Sequence, residues 1–198
     1  MPRLPLTEEQ KKASTARQRR LFIEANPGSG KTTVAAERYG ILRFDGMRGE
    51  SRAITAVSFT RSATGELNRR IRGRWGTKAT GWPHGVMTID GLVCDIVHHL
   101  LRRGMIHWLG DHATLQVLDD WRGHKGYRWL MPGNNYRRVA ALDSNARLTS
   151  VGRQVAVPGF GFGNKQVFHD HLALGRCTHD DVRAVLTSAL RKPALKDA

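Results

Sequence analysis

The chain is poor in cysteine, in acidic residues and in long apolar runs, and each shortage removes a class of protein. Only Cys94 and Cys177 occur in 198 residues, too few for a disulfide framework, which fits a reducing compartment. The opening M-P-R-L-P-L-T-E-E-Q lacks the apolar core of a secretory signal, and no stretch approaches the about 20 apolar residues that a bilayer requires. A soluble, cytoplasmic protein is expected. Repeats and low-complexity tracts are absent as well. Hydrophobic residues at 40% and aromatics at 7% suffice for an ordinary core, which excludes global disorder. Acidic residues number 17 against 32 lysines and arginines, leaving a net charge of +15. The basic residues are spread evenly, 17 in residues 1–100 and 15 in residues 101–198. Such a surplus points to a phosphate-rich partner, because each phosphate neutralised releases counterions.

What is present begins at Ala25-Asn26-Pro27-Gly28-Ser29-Gly30-Lys31-Thr32-Thr33, directly after the apolar run Leu21-Phe22-Ile23. This reads as a strand ending near Ala25, a turn on Gly28 and Gly30, and a helix starting near Lys31. Glycines let the backbone approach phosphates, so that successive N–H groups and a helix N-terminus point at one anion. Lys31 supplies a cation for the terminal phosphates, and the Thr32 hydroxyl is placed to ligate Mg²⁺. The usual pattern starts with glycine; Ala25 stands there instead. The segment predicts binding of a nucleoside triphosphate.

Along the chain, Thr7 is a good cap for a helix to about Ala16, with Glu8 and Glu9 in its first turn. Ala53–Phe59 is β-branched and apolar, as a buried parallel strand would be. Thr60 or Ser62 can cap the next helix, which carries Leu67 and Ile71 on one face. Val86–Ile89 reads as a third strand, and Leu92, Val93, Ile96, Val97, Leu100 and Leu101 follow at helical spacing. Strand–helix alternation repeated three times means an α/β sheet with right-handed crossovers. Beyond Gly104 the texture changes. Ala113–Trp121 looks helical, Ser150–Val157 could be an isolated strand, and Thr178 with Asp181 makes a capping-box start for a helix over 180–190.

The order of these motifs resembles the N-terminal part of superfamily 1 DNA helicases of the UvrD/Rep type, over roughly residues 4–103. Leu6-Thr7-Glu8-Glu9-Gln10 matches the segment that precedes the phosphate loop, and the resemblance implies that Gln10 reads the adenine edge, hence ATP. Phe59-Thr60-Arg61 followed by Glu66-Leu67-Asn68-Arg69-Arg70-Ile71 matches the family's strand-end and basic helix. There the resemblance implies contact with single-stranded or forked DNA: Thr60 and the helix N-terminus on a phosphate, Phe59 as a stacking face, arginines on the backbone. Phe59 could equally be core, since it ends a strand. Thr88-Ile89-Asp90-Gly91-Leu92 matches the third motif, with Asp90 in place of the common histidine, and the resemblance implies that Thr88 and Asp90 also contact the nucleic acid. In that family a helical insertion follows and touches the duplex ahead of the fork.

The sequence also departs from the pattern. The family's next landmark, a strand ending in Asp-Glu that holds Mg²⁺ through water and activates the attacking water, has no counterpart, since no aspartate here precedes a glutamate. The second RecA-like domain and its arginine finger are also missing, and the run after Pro193 suggests a chain stopped short of that strand. Loss of the finger alone implies about 10³-fold or more in turnover.

Other readings stay open. Val86–Asp90 could be the Mg²⁺-binding strand of a different small P-loop NTPase, with Asp90 as its carboxylate. His169-Asp170-His171 with Cys177 and His179 has metal-ligating residue types, although surface histidines beside a helix start explain it better. A non-catalytic, ATP-responsive DNA-binding module is a third possibility, supported by the interleaved Tyr127-Arg128-Trp129 and Tyr136-Arg137-Arg138. The expectation is a RecA-like P-loop domain over residues 1–104, a parallel sheet with flanking helices, then a mostly helical insertion over 105–198. Its ligands would be ATP and Mg²⁺, and its partners DNA and the remaining helicase domains.

Overall fold

A computed structural model describes residues 5–18, 20–46 and 52–192. Its packing divides between Ile89 and Asp90 into two compact units, rather than at Gly104.

In the first unit Thr7 is extended and caps helix α1 (Glu8–Thr15) through a reciprocal capping box with Gln10. Residues 21–26 then run without regular pairing, so the strand expected at Leu21–Ala25 does not form. A strand exists through its neighbours' hydrogen bonds, and no described segment supplies them. Helix α2 (Lys31–Ile41) starts from Gly30 and widens into a π-turn over Leu42–Gly46. Strand β1 (Thr55–Ser58) and helix α3 (Arg61–Trp75) follow, and strand β2 (Gly85–Thr88) pairs with β1 in parallel, Ser58 level with Thr88. The parallel pairing matches expectation; the burial does not. Among the described residues the sheet has two strands, and Val57 is 39% exposed.

Helices α2 and α3 pack closely. A Cβ on Gly40 would fall 2.0 Å from the Trp75 ring, so only glycine allows this approach. Glu37, on α2, accepts two hydrogen bonds from Arg74 of α3, at 2.8 and 2.9 Å. The buried cluster here comprises Ala36 and Tyr39 of α2, Ile71 of α3 and Ala79 from the turn that follows α3. His84 closes the sheet's start: its Nδ1 accepts from Ile54 N–H at 3.1 Å.

The second unit opens with helix α4 (Ile89–Arg102), then strands β3 (Gln116–Leu118), β4 (Arg128–Leu130), β5 (Tyr136–Leu142), β6 (Leu148–Gln154) and β7 (Gly159–Gly161), helix α5 (Lys165–Ala173), strand β8 (Arg176–Thr178) and helix α6 (His179–Leu190). The pairs are β3 with β8 in parallel, and β4 with β7 and β5 with β6 antiparallel. The expected mostly helical insertion is therefore a mixed α/β unit. Ala113–Trp121 does not become a helix, because Gln116–Leu118 is drawn into the β3 ladder. The supposedly isolated strand near Ser150 has a full partner in β5, whose alternating Arg137/Val139/Ala141 and Arg138/Ala140/Leu142 serve two faces. Asp143 fixes the intervening turn by accepting from Asn145 and Arg147 N–H, both at 2.9 Å.

Trp121, Phe162 and Phe168 form the centre of the second unit's core, with ring centroids 5.3 to 6.0 Å apart. The expected capping box at Thr178 and Asp181 is present. Asp181 also accepts from Ala140 N–H, which ties α6 to β5. No described helix is long and apolar enough to cross a membrane.

Candidate functional site

The loop between Ala25 and Lys31 turns on Gly28 and Gly30, whose φ angles are +80° and +88°. Side chains other than glycine rarely adopt such angles. Ser29 N–H closes the turn onto the Asn26 carbonyl at 3.2 Å. Gly30 is the N-cap of α2 and offers no side-chain cap. The first amides of that helix therefore lack an intramolecular acceptor of the kind Thr7, Thr60 and Thr178 supply to their helices. A helix start of this kind concentrates partial positive charge and free donors.

Gln10 lies against the loop. Its Nε2 donates to the Ser29 carbonyl at 2.9 Å, and its Oε1 accepts from Thr7 N–H at 3.1 Å. A Cβ on Gly30 would stand 2.8 Å from that Nε2, a second reason for glycine there. Lys31 Nζ folds over the loop onto the Ala25 and Asn26 carbonyls, at 2.7 and 2.9 Å. A cavity of about 600 Å³ runs alongside, lined by Gln10, Leu21, Ile23, Lys31 and Val34 among others. A larger cavity exists in the second unit, but it contains none of the loop residues. Thr32 and Thr33 are half-buried in the first turn of α2. Among the described residues no group of three His, Cys, Asp or Glu side chains is placed to hold a metal. The Thr32 hydroxyl, in the first turn of α2, is an oxygen donor of the kind that Mg²⁺ accepts.

The second cluster sits at the ends of β1 and β2. Phe59 is 88% exposed and so is not core. Thr60 caps α3 by accepting from Ala63 N–H at 3.0 Å. The parallel register sets Thr88 level with Ser58, next to the Phe59-Thr60 turn. Arg61 is exposed in the first turn of α3. Arg69 and Arg70 both pair with Glu66. Their hydrogen bonds, Arg70's foremost, hold the Glu66 carboxyl below its usual range. Arg70 continues to Thr33, donating from Nη1 to Oγ1 at 2.6 Å. Side chains of the basic helix thus reach the phosphate-loop helix directly, a link that sequence spacing cannot reveal.

Asp90 belongs to the second unit. Its carboxylate is held by Arg183 at 2.6 and 2.9 Å, and it lies in the first turn of α4 rather than at a strand end. Such an ion pair removes it as a free metal ligand. The histidine cluster is also dispersed. His169 Nε2 meets Ser150 Oγ at 2.9 Å, His171 Nε2 meets the Lys125 carbonyl at 2.9 Å, and His179 lies 3.9 Å from Cys94 Sγ. Burial pushes the Cys177 thiol well above its usual range, leaving it unreactive. The sequence features after Lys192, including the run that begins at Pro193, lie outside the described residues.

Residues 6–131, well over half of the 198-residue chain, match the family model described as the UvrD/REP helicase N-terminal domain. No curated protein matches the chain.

Proposed function

The chain belongs to the UvrD/REP helicase family, and from that membership we propose that it is the ATP-binding portion of an ATP-dependent DNA helicase or translocase. The observation that carries the reading is the start of α2: an N-terminus without a side-chain cap, entered through two left-handed glycines, with Lys31 and Gln10 at its mouth. A triphosphate would take the loop amides of residues 28–32, and Lys31 would exchange its two carbonyl acceptors for the terminal phosphates. Mg²⁺, when bound, supplies charge neutralisation to the phosphates beside Thr32. Gln10 would read adenine by giving up its bond to Ser29, so base recognition and loop geometry share one side chain.

Single-stranded or forked DNA would lie across Phe59, Thr60 and Arg61, with Thr88 beside them. The exposure of Phe59 supports this, since a ring in solvent at a strand end is available for stacking on a base. Arg69 suits a backbone phosphate. Arg70 suits a relay between that surface and Thr33. In the intact protein, hydrolysis would drive movement along one strand through opening and closing of two RecA-like domains. This polypeptide contains no Asp-Glu pair, which supports nucleotide binding without effective turnover. A cytoplasmic setting follows from such a role.

Titration with a fluorescent ATP analogue and Mg²⁺, alongside a phosphate-release assay with and without oligo(dT), tests the proposal. Saturable binding with no DNA-stimulated release is expected. DNA-stimulated release would contradict the loss of hydrolysis, and absence of nucleotide binding would overturn the whole reading.

A further inference from the structure

The larger cavity, about 940 Å³, is lined entirely by the second unit, between the β5–β6 hairpin, the chain that follows it and α6. The hairpin register sets Arg137 opposite Arg153 and Val139 opposite Val151. Alternation turns these four toward the groove, while Ala140, Leu148 and Ser150 enter the core. Like charges directly opposite each other on an antiparallel pair repel, so this pairing disfavours the hairpin unless something negative answers it. Asp180 answers in part, 3.6 Å from Arg137 and 2.9 Å from Arg183, and Arg183 is held again by Asp90. Arg153 and Arg191 also line the groove, and among the described residues neither has an acidic partner. Between these cations the surface is apolar and open: Val157 is 73% exposed, Phe160 54% and Val151 43%.

A basic rim around an aliphatic floor has a definite complement. A nucleic-acid strand needs a cationic track clear of carboxylates, and faces for its bases. Here Asp180 stands in the groove, and among the described residues Phe160 is its one aromatic lining residue. Valine side chains instead match the aliphatic side chains of a polypeptide, and two uncommitted guanidiniums match carboxylates. We infer that this groove docks an acidic peptide segment of a partner protein, its aliphatic side chains on Val151 and Val157 and its carboxylates on Arg153 and Arg191. The inference stands apart from the nucleotide reading, because every residue it uses lies in the second unit.

Fluorescence anisotropy with a fluorescein-labelled peptide of alternating leucine and glutamate tests it, beside the same peptide with lysine for glutamate and a labelled oligo(dT). The acidic peptide binds saturably, and the lysine peptide does not. Arg153→Glu weakens it about tenfold or more, and Val157→Asp weakens it several-fold. Arg103→Glu, the same charge change on an exposed residue that does not line the groove, leaves affinity within about twofold. Circular dichroism melts establish that the variants are folded, and the exposed Val157 keeps the test informative should Arg153→Glu unfold. No saturable binding, or equal loss in Arg103→Glu and Arg153→Glu, overturns the proposal. Oligo(dT) binding that depends on Arg153 while the acidic peptide fails to bind assigns the groove to nucleic acid instead and overturns it equally.

Discussion

The second unit has an interior of its own, with fifteen buried side chains grouped around Trp121, Phe162 and Phe168, whereas the corresponding cluster in the first unit is Ala36, Tyr39, Ile71 and Ala79. In the first unit Leu21, Phe22, Ile23, Val57 and Phe59 face solvent instead. Polar ties hold its parts together. Arg38 donates to the carbonyls that close α1, at 2.5 Å for Ala16; the Tyr39 hydroxyl bridges toward Ile54 and Ala79; Glu37 clamps Arg74; His84 pins Ile54. The unit that carries the Ala25–Lys31 loop is thus the one with the smaller apolar core. Directional bonds keep loop, α2 and α3 in register while leaving apolar side chains and the start of α2 exposed. A large core rigidifies; hydrogen-bonded clamps position.

The comparison breaks most visibly at a buried ring. Phe168→Ala, at 1% exposure, should lower stability by about 3–5 kcal/mol. Phe59→Ala should change it by no more than about 0.5 kcal/mol yet weaken oligo(dT) binding. Urea melts and anisotropy on both variants check this, and similar melts for the two would erase the distinction.

Next in size is the clamp. Arg74→Met leaves the Glu37 carboxylate, whose side chain is 11% exposed, without its bidentate partner and should cost about 1–3 kcal/mol. Because the Arg74 side chain is 42% exposed, the lower part of that range is expected. A melt unchanged from the parent would show that the first unit does not depend on polar ties.

A finer separation concerns neighbouring arginines. Arg69→Glu should lower the slope of log affinity for DNA against log salt by about 1. Arg70→Ala, which removes the donor to Thr33, should instead lower affinity for the ATP analogue. Identical behaviour of the two in both assays would deny Arg70 its relay role.

The smallest effect is one of pH. Burial, then the charge of Arg43, pulls the His84 pKa below the ordinary 6.5, and its ring must stay neutral to accept from Ile54. The unfolded chain therefore takes up this proton first. Stability of the first unit is full above pH 6.5 and declines as the pH falls through that value. His84→Gln should flatten the decline in thermal melts; an unaltered pH profile would remove His84 as its source.

Much of the first unit was legible because its signals are local. Thr7 with Gln10, the turn on Gly28 and Gly30, and Thr60 before α3 each act within a few residues. Leu21–Ala25 misled because its composition is that of a strand while strand formation depends on a neighbour. The second unit was far less readable. Three-residue strands carry no periodicity, and β3 meets β8, or β4 meets β7, only after long excursions of the chain. At the site, the loop could be read directly and Gln10 through family resemblance. The Arg70–Thr33 and Arg183–Asp90 bonds could not, since tertiary packing alone creates them.

The most direct measurement is calorimetric titration of Mg²⁺ and a non-hydrolysable ATP analogue into the parent protein and Lys31→Ala. Saturable binding by the parent, reduced about a hundredfold or more in the variant, is the predicted result. Equal affinity in the two proteins would contradict a triphosphate seated at the start of α2.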